Sequence, residues 1–132
     1  MTFVPIDRVA AWDYFASLVT AKTDTSGGLC GITDFIGDGR AFGVLDDDKT
    51  MIAVFVIQKI QRAHGIELEV RAALQLSKRG DLTETVLPEI ERAFAHDCDM
   101  MTVYTKRAGL VRKLQSAGYH EAAKIMQKRV SK

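Results

Sequence analysis

Cysteine, proline and tryptophan are scarce in this sequence: its 132 residues include two, two and one. Cys30 and Cys98 are far apart, with no CxxC pair and no Cys/His cluster. That argues against a disulfide-stapled scaffold and against structural zinc, and leaves two reduced thiols as small hydrophobes. No metal is expected. Net charge is also nearly absent, 18 Lys+Arg against 17 Asp+Glu for +1, so no bulk field draws the chain to nucleic acid or an anionic membrane. No run approaches the roughly 18 consecutive apolar residues of a membrane span. The opening MTFVPIDRVAAWDYF has no basic stretch leading into an apolar one, so a signal peptide is not expected and a cytoplasmic location is. Repeats, low-complexity runs and linkers are missing too.

What is present fits one domain over residues 1–132, with 47% hydrophobic and 27% charged residues, enough for a single core. Val9, Trp12, Phe15, Ala16 and Val19 fall at helical spacing and predict an amphipathic helix from about Asp7 to Ala21, with Asp7 at its start and Trp12 packed inward. Thr23 to Arg40 is rich in Gly, Asp, Ser and Thr, with a short apolar interruption from Leu29 to Ile36, and predicts a loop with room for one helical turn. Three strands follow. The first is Arg40–Leu45; after the Asp46-Asp47-Asp48-Lys49 turn comes Thr50–Ile57, apolar on both faces as a central strand is. Beyond Ala63-His64-Gly65, Ile66–Leu76 alternates with a period of two. Ile66, Leu68, Val70, Ala72, Leu74 and Leu76 are expected on the core face, with Glu67, Glu69, Arg71 and Gln75 opposite.

In the second half, Val86, Leu87, Ile90, Ala93 and Phe94 mark a helix ending near His96. Met100–Thr105 reads as a short strand with Tyr104 packed in the core, and Leu110, Val111 and Leu114 mark a helix closed by Gly118 as a left-handed cap. His120–Val130 reads as a last strand with a basic edge (Lys124, Lys128, Arg129, Lys132). His64, His96 and His120 lie at element ends and are expected at the surface. The order predicts an α/β (α+β) domain: a mixed, mostly antiparallel central sheet of about five or six strands with helices on both faces.

Two segments carry a family resemblance. Thr105-Lys-Arg-Ala-Gly-Leu-Val-Arg-Lys-Leu-Gln-Ser-Ala-Gly118-Tyr119 resembles the segment of GNAT N-acetyltransferases in which a strand gives way to a helix ending in Gly-Phe or Gly-Tyr. Leu74-Gln-Leu-Ser-Lys-Arg-Gly80-Asp-Leu-Thr-Glu-Thr-Val-Leu87 lies where that superfamily carries its pyrophosphate loop. The chain is also similar to short acetyltransferase-like proteins encoded by phages and prophages. The resemblance implies acetyl-CoA as cofactor, held by Leu74, Leu76, Ser77, Lys78, Arg79, Gly80, Asp81, Leu82, Thr83 and Arg107, where backbone N–H groups and a helix N-terminus receive the anion. It implies Glu69 as general base toward an amine acceptor, with Arg71 favouring its charged form. Three residues depart from the pattern. Leu82 replaces a small residue, Asp81 adds negative charge, and Leu114 stands where a proton-donating Tyr is common.

Pro88 leaves two helix starts open. A helix capped by Asp81 and Glu84 would carry Pro88 in its interior at about 3 kcal/mol; one starting near Thr85 holds Pro88 in its first turn. Function has two readings as well. One is acetyl-CoA-dependent acetyl transfer to an amine. The other is a non-catalytic, phage-encoded protein that keeps the fold for virion assembly or host-factor binding, in the host cytoplasm or the virion. Partners are then acyl-CoA and an amine, or a protein, with a homodimer allowed; membrane and nucleic acid are not expected.

Overall fold

Asp7 starts the first helix as its position predicts: its Oδ1 accepts from the Ala10 N–H at 2.8 Å, capping α1 (Arg8–Phe15). The computed structural model describes residues 1–16, 34, 36–78 and 81–130, so the expected continuation of α1 to Ala21, Cys30 and most of the loop after Thr23 lie outside the described residues, while Asp34 and Ile36 are helical. A strand absent from the sequence reading precedes the helix, β1 (Thr2–Ile6). Pro5 hides it in the sequence, yet at a sheet edge a residue without an N–H is tolerated.

Then come β2 (Arg40–Leu45), β3 (Met51–Arg62) and β4 (Gly65–Gln75). A π turn (Leu82–Val86) runs into α2 (Leu87–Phe94), followed by β5 (Met100–Val103) and α3 (Ala108–Ser116). The five strands lie in sequence order, antiparallel except for the parallel β4–β5 pair. This is the mixed, mostly antiparallel sheet with helices on both faces that the element order predicts. Between β2 and β3, Asp46 Oδ1 accepts from the N–H groups of Asp48 and Thr50 at 2.9 Å, the turn-forming role expected of that acidic run. β3 continues past Ile57 to Arg62 because Gln58–Arg62 pairs with Gly65–Glu69 around the hairpin.

β4 departs from its predicted single alternation. Val56 faces Ala72 while Ile57 faces Val70, which leaves Arg71 as an extra residue, a β-bulge. Leu68 and Val70 therefore pack on one sheet face with Phe42, Phe55, Val86, Ile90 and Leu114, whereas Ala72 and Leu74 turn to the other with Ala11, Phe15, Val54 and Val56. The two layers are thus the α2/α3 side and the α1 side. On the first, the rings of Phe3, Phe42, Phe55 and Phe94 meet at centroid distances between 4.8 and 6.1 Å. On the second, Ala11 and Phe15 form the buried stripe of α1, and Trp12 is 42% exposed rather than packed inward.

Both helix starts expected around Pro88 are partly realised. Asp81 caps the π turn, and α2 begins at Leu87 with Pro88 in its first turn. The wider turn takes up the register, since the Leu87 N–H bonds to the Leu82 carbonyl five residues back, so the proline ring meets no fully formed α-helical turn. Gly118 closes α3 with φ +97°, and the Tyr119 N–H bonds to the Leu114 carbonyl at 3.0 Å, the left-handed cap expected there. The predicted last strand is not formed: residues 120–130 carry no helix or strand and are exposed.

Candidate functional site

β4 and β5 part company halfway. Their pairing ends at Val70 opposite Val103, yet β4 runs on to Gln75 with β3 as its one strand neighbour. The wedge is a cavity of about 590 Å³, floored by β4 from Val70 to Gln75 and walled by the π turn, α2, the end of β5 and α3. Val103, Leu87, Leu110 and Leu114 give it apolar sides, while Asp81, Arg107 and Lys113 are its charged residues beside Arg71. Such a mixture suits a long, mostly neutral ligand with a charged end.

Of the residues the resemblance assigns to a cofactor, Leu74, Asp81, Leu82, Thr83 and Arg107 line this cavity. Leu76, Ser77 and Lys78 do not; Leu76 and Ser77 turn their N–H groups onto the Ile52 carbonyl at 2.8 and 3.3 Å, prolonging the sheet. Arg79 and Gly80 lie outside the described residues. Arg107 sits at the start of α3, with its N–H on the Thr105 hydroxyl at 3.1 Å.

The β4 floor and apolar walls would suit the neutral arm of an acyl-pantetheine, an extended chain of amides. The diphosphate end does not fit in the same way. Asp81 Oδ1 already accepts from the N–H groups of Thr83 and Glu84 at 2.8 and 3.1 Å, and its Oδ2 accepts from Lys113 Nζ at 2.6 Å. The chain's own carboxylate occupies the helix start where an external anion would be received. Lys113, then the Glu84 and Thr83 N–H groups, hold that carboxyl below its ordinary pKa despite partial burial, so Asp81 is an anion at neutral pH.

Glu69, the expected base, is buried and does not line the cavity. It lies on the α1 side of β4, where Arg71 Nη1 donates to its Oε1 at 3.1 Å and Arg62 Nη2 stands 3.8 Å from Oε2. Arg71 does line the cavity, and its Nη2 donates to the Asp34 carbonyl at 2.7 Å. Arg71 therefore connects the hidden carboxylate to the cleft. Tyr104 was expected in the core, but β5 stops at Val103 and Tyr104 is 54% exposed on the cavity wall. The short strand was the missed signal: Lys106 and Arg107 follow at once, a run unsuited to a buried strand end. His64, His96 and His120 are exposed as expected, and no metal-holding cluster exists among the described residues. No helix there is long and apolar enough to cross a membrane.

Beside Glu69 on the same face, Glu67 accepts from the Thr102 hydroxyl and from Arg62, in that order the causes that lower its pKa. A carboxyl depressed in the folded state stabilises it above the ordinary value of 4.5, and loses that contribution as pH falls through the depressed value. Thr102→Val should therefore destabilise the protein at pH 7, with the gap to the native chain closing at strongly acidic pH in pH-resolved urea unfolding. A gap unchanged with pH would show that the hydroxyl does not act through Glu67.

No protein-family model and no curated protein sequence matches the chain. Solved structures do. An aminoglycoside antibiotic 6'-N-acetyltransferase from Acinetobacter baumannii superposes with TM-score 0.56 at 13% identity, covering 98% of this chain and 97% of that one. A GNAT family acetyltransferase from Staphylococcus aureus gives 0.54 at 11%, covering 98% of each. A mutant form of the BH1408 protein of Bacillus halodurans gives 0.64 at 13%, covering 99% and 100%. At these identities it is the path of the backbone that is shared, and the chain has the GNAT acetyltransferase fold.

Proposed function

We propose that this protein transfers an acyl group from a pantetheine thioester, acetyl-CoA in the first instance, to an amine. The observation that carries the reading is the parting of β4 and β5, which makes an apolar-walled cleft floored by a strand edge with no strand beside it. A thioester supplies the activated acyl group. The β4 edge would align its amide chain and offer an N–H to the carbonyl oxygen as charge develops there, and Leu87, Leu110 and Leu114 would keep water from the reacting carbon. Glu69 would take the proton of the incoming amine through a water beside Arg71, whose guanidinium keeps its own protons. Tyr104, the one phenol on the cavity wall, would return a proton to the leaving sulfur.

The test couples binding to turnover. Acetyl-CoA and S-acetylpantetheine are titrated in thermal unfolding, and thiol release is followed with a panel of amines. Binding of either donor together with amine-dependent thiol release supports the reading. Glu69→Gln and Tyr104→Phe should then each lower kcat by roughly 10²–10⁴-fold while leaving the ligand-induced rise in Tm intact. No Tm shift with either donor would sink it. A second reading, a non-catalytic and phage-encoded protein that keeps the fold for virion assembly or host-factor binding, draws on the Asp81 carboxylate lying where a cofactor anion would go.

A further inference from the structure

A tight turn precedes β2 and lies against the bulge. The Gly39 N–H donates to the Ile36 carbonyl at 2.9 Å, and Gly37 inside the turn has φ +52°, a backbone state that glycine enters without strain. Both glycines also face strands. A Cβ at Gly39 would stand 2.5 Å from Val56 Cγ1 and 3.1 Å from the Ile57 carbonyl, the two residues between which the β3–β4 register breaks. A Cβ at Gly37 would stand 3.0, 3.1 and 3.2 Å from Nη2, Cζ and Nε of Arg71. Near-equal distances to three atoms put it over the flat face of the guanidinium, so the bare Gly37 backbone is the surface on which that plane rests. Arginines tie the segment from two sides. Arg8, the first residue of α1, donates from Nη2 to the Gly37 carbonyl, and Arg71 donates from Nη2 to the Asp34 carbonyl at 2.7 Å. The other terminal nitrogen of Arg71, Nη1, donates to Glu69 Oε1 at 3.1 Å and to Gln58 Oε1 at 3.3 Å.

We propose that the turn at residues 36–39 is a positioning element for Glu69, a role that rests on the acyl-transfer reading in which Glu69 takes the proton of the amine. Gly37 and Arg8 hold Arg71, and Arg71 holds the carboxylate beside the cleft. Glu69 has a second cation within reach, since Arg62 Nη2 stands 3.8 Å from its Oε2. Arg62 ends β3 at the hairpin, away from the cleft, and donates to Glu67 Oε1 at 2.8 Å. With Arg71 seated, the closer pairing wins, and the carboxylate stays next to a guanidinium that lines the cavity. With Arg71 unseated, the carboxylate is free to turn toward Arg62. A base displaced by about 1 Å loses on the order of 10²-fold in rate. Gly37 and Arg8 thus act on the chemistry without touching a substrate.

The test joins NMR spectra to kinetics on the full chain. In the native protein the Arg71 guanidinium should give separate, slowly exchanging Nη–H signals, as a plane held by bonds at both terminal nitrogens does. Gly37→Ala adds a methyl over that plane, and Gly37→Asn does so with a residue that accepts positive φ. Arg8→Ala releases the turn and adds no atom beside Arg71. Each variant should merge the separate signals, and the two at Gly37 should lower kcat by roughly 10- to 100-fold while the donor-induced rise in Tm stays in place. A double-mutant cycle separates positioning from general damage: in an Arg71→Lys background, Gly37→Ala should lower kcat no further. Signals already merged in the native chain, or unchanged in all the variants, overturn the proposal whether or not the protein is active. So does a Gly37→Ala effect on kcat that is as large in the Arg71→Lys background as in the native one. A native chain without amine-dependent thiol release sinks the acyl-transfer reading instead, and the spectra still decide whether the turn holds Arg71.

Discussion

Asp81→Gly should bind acetyl-CoA roughly 10- to 100-fold more tightly than the native chain. In the native protein the Thr83 and Glu84 N–H groups and the Lys113 ammonium all serve one internal carboxylate. A diphosphate arriving there meets like charge and finds its donors taken. Glycine removes the charge and frees the donors, at a capping cost of a few tenths to about 1 kcal/mol. Asp81→Asn separates the two effects, since it loses the charge but keeps an oxygen over the same N–H groups. Its affinity should fall between the native and glycine proteins. S-acetylpantetheine, which lacks the diphosphate, should bind all three equally. Calorimetric titration of the three proteins with both ligands decides the matter. Equal acetyl-CoA affinity across the series would mean that Asp81 swings aside at no cost, and tighter S-acetylpantetheine binding by the glycine protein would mean that the cleft itself has changed.

Phe55→Ala should have the largest effect on stability. Phe55 is fully buried on the central strand, with the rings of Phe3, Phe42 and Phe94 around it. Removing a buried phenyl costs about 3–5 kcal/mol through lost transfer energy and the cavity left behind, a large share of the roughly 5–15 kcal/mol that holds a domain together. A fall in Tm on the order of 10 °C or more is expected, with the urea m-value unchanged if the altered protein keeps its fold. Phe55→Leu should cost a fraction of this. A shift of only about 2 °C for the alanine variant would show that the four rings do not form one packed unit.

Those rings illustrate what the sequence makes legible. Phe42 and Phe55 sit in apolar runs whose period gives both the strand and the buried face, and the hairpins around Asp46 and His64 follow from turn chemistry. β1 is hidden by Pro5, because a proline argues against a strand until its place at the edge is known. The face exchange in β4 is invisible to periodicity, since alternation counts residues and cannot register one that the neighbouring strand skips. Trp12 and Tyr104 went astray for a related reason. Helical spacing says that some face of α1 is buried but not which one, and a strand end is uncertain by the one residue that separates a buried Tyr from an exposed one. At the candidate site, the sequence points to the loop and to Asp81 as an awkward charge. That the carboxylate turns back onto its own helix depends on Lys113, 32 residues away, a contact no local pattern announces.

The extra residue in β4 gives the chain an unusual tolerance of length at one point. Arg71 is the residue that the β3 register skips, so its side chain matters more than its presence. Substitution there removes a few hydrogen bonds. Deletion would leave Val70 opposite Ile57 and Ala72 opposite Val56 in unbroken alternation, so Ala72 and Leu74 would stay on the α1 side and the strand that floors the cleft would keep its faces. A lost codon at that point would therefore leave the faces of the strand in place, at the cost of the hydrogen bonds that Arg71 makes.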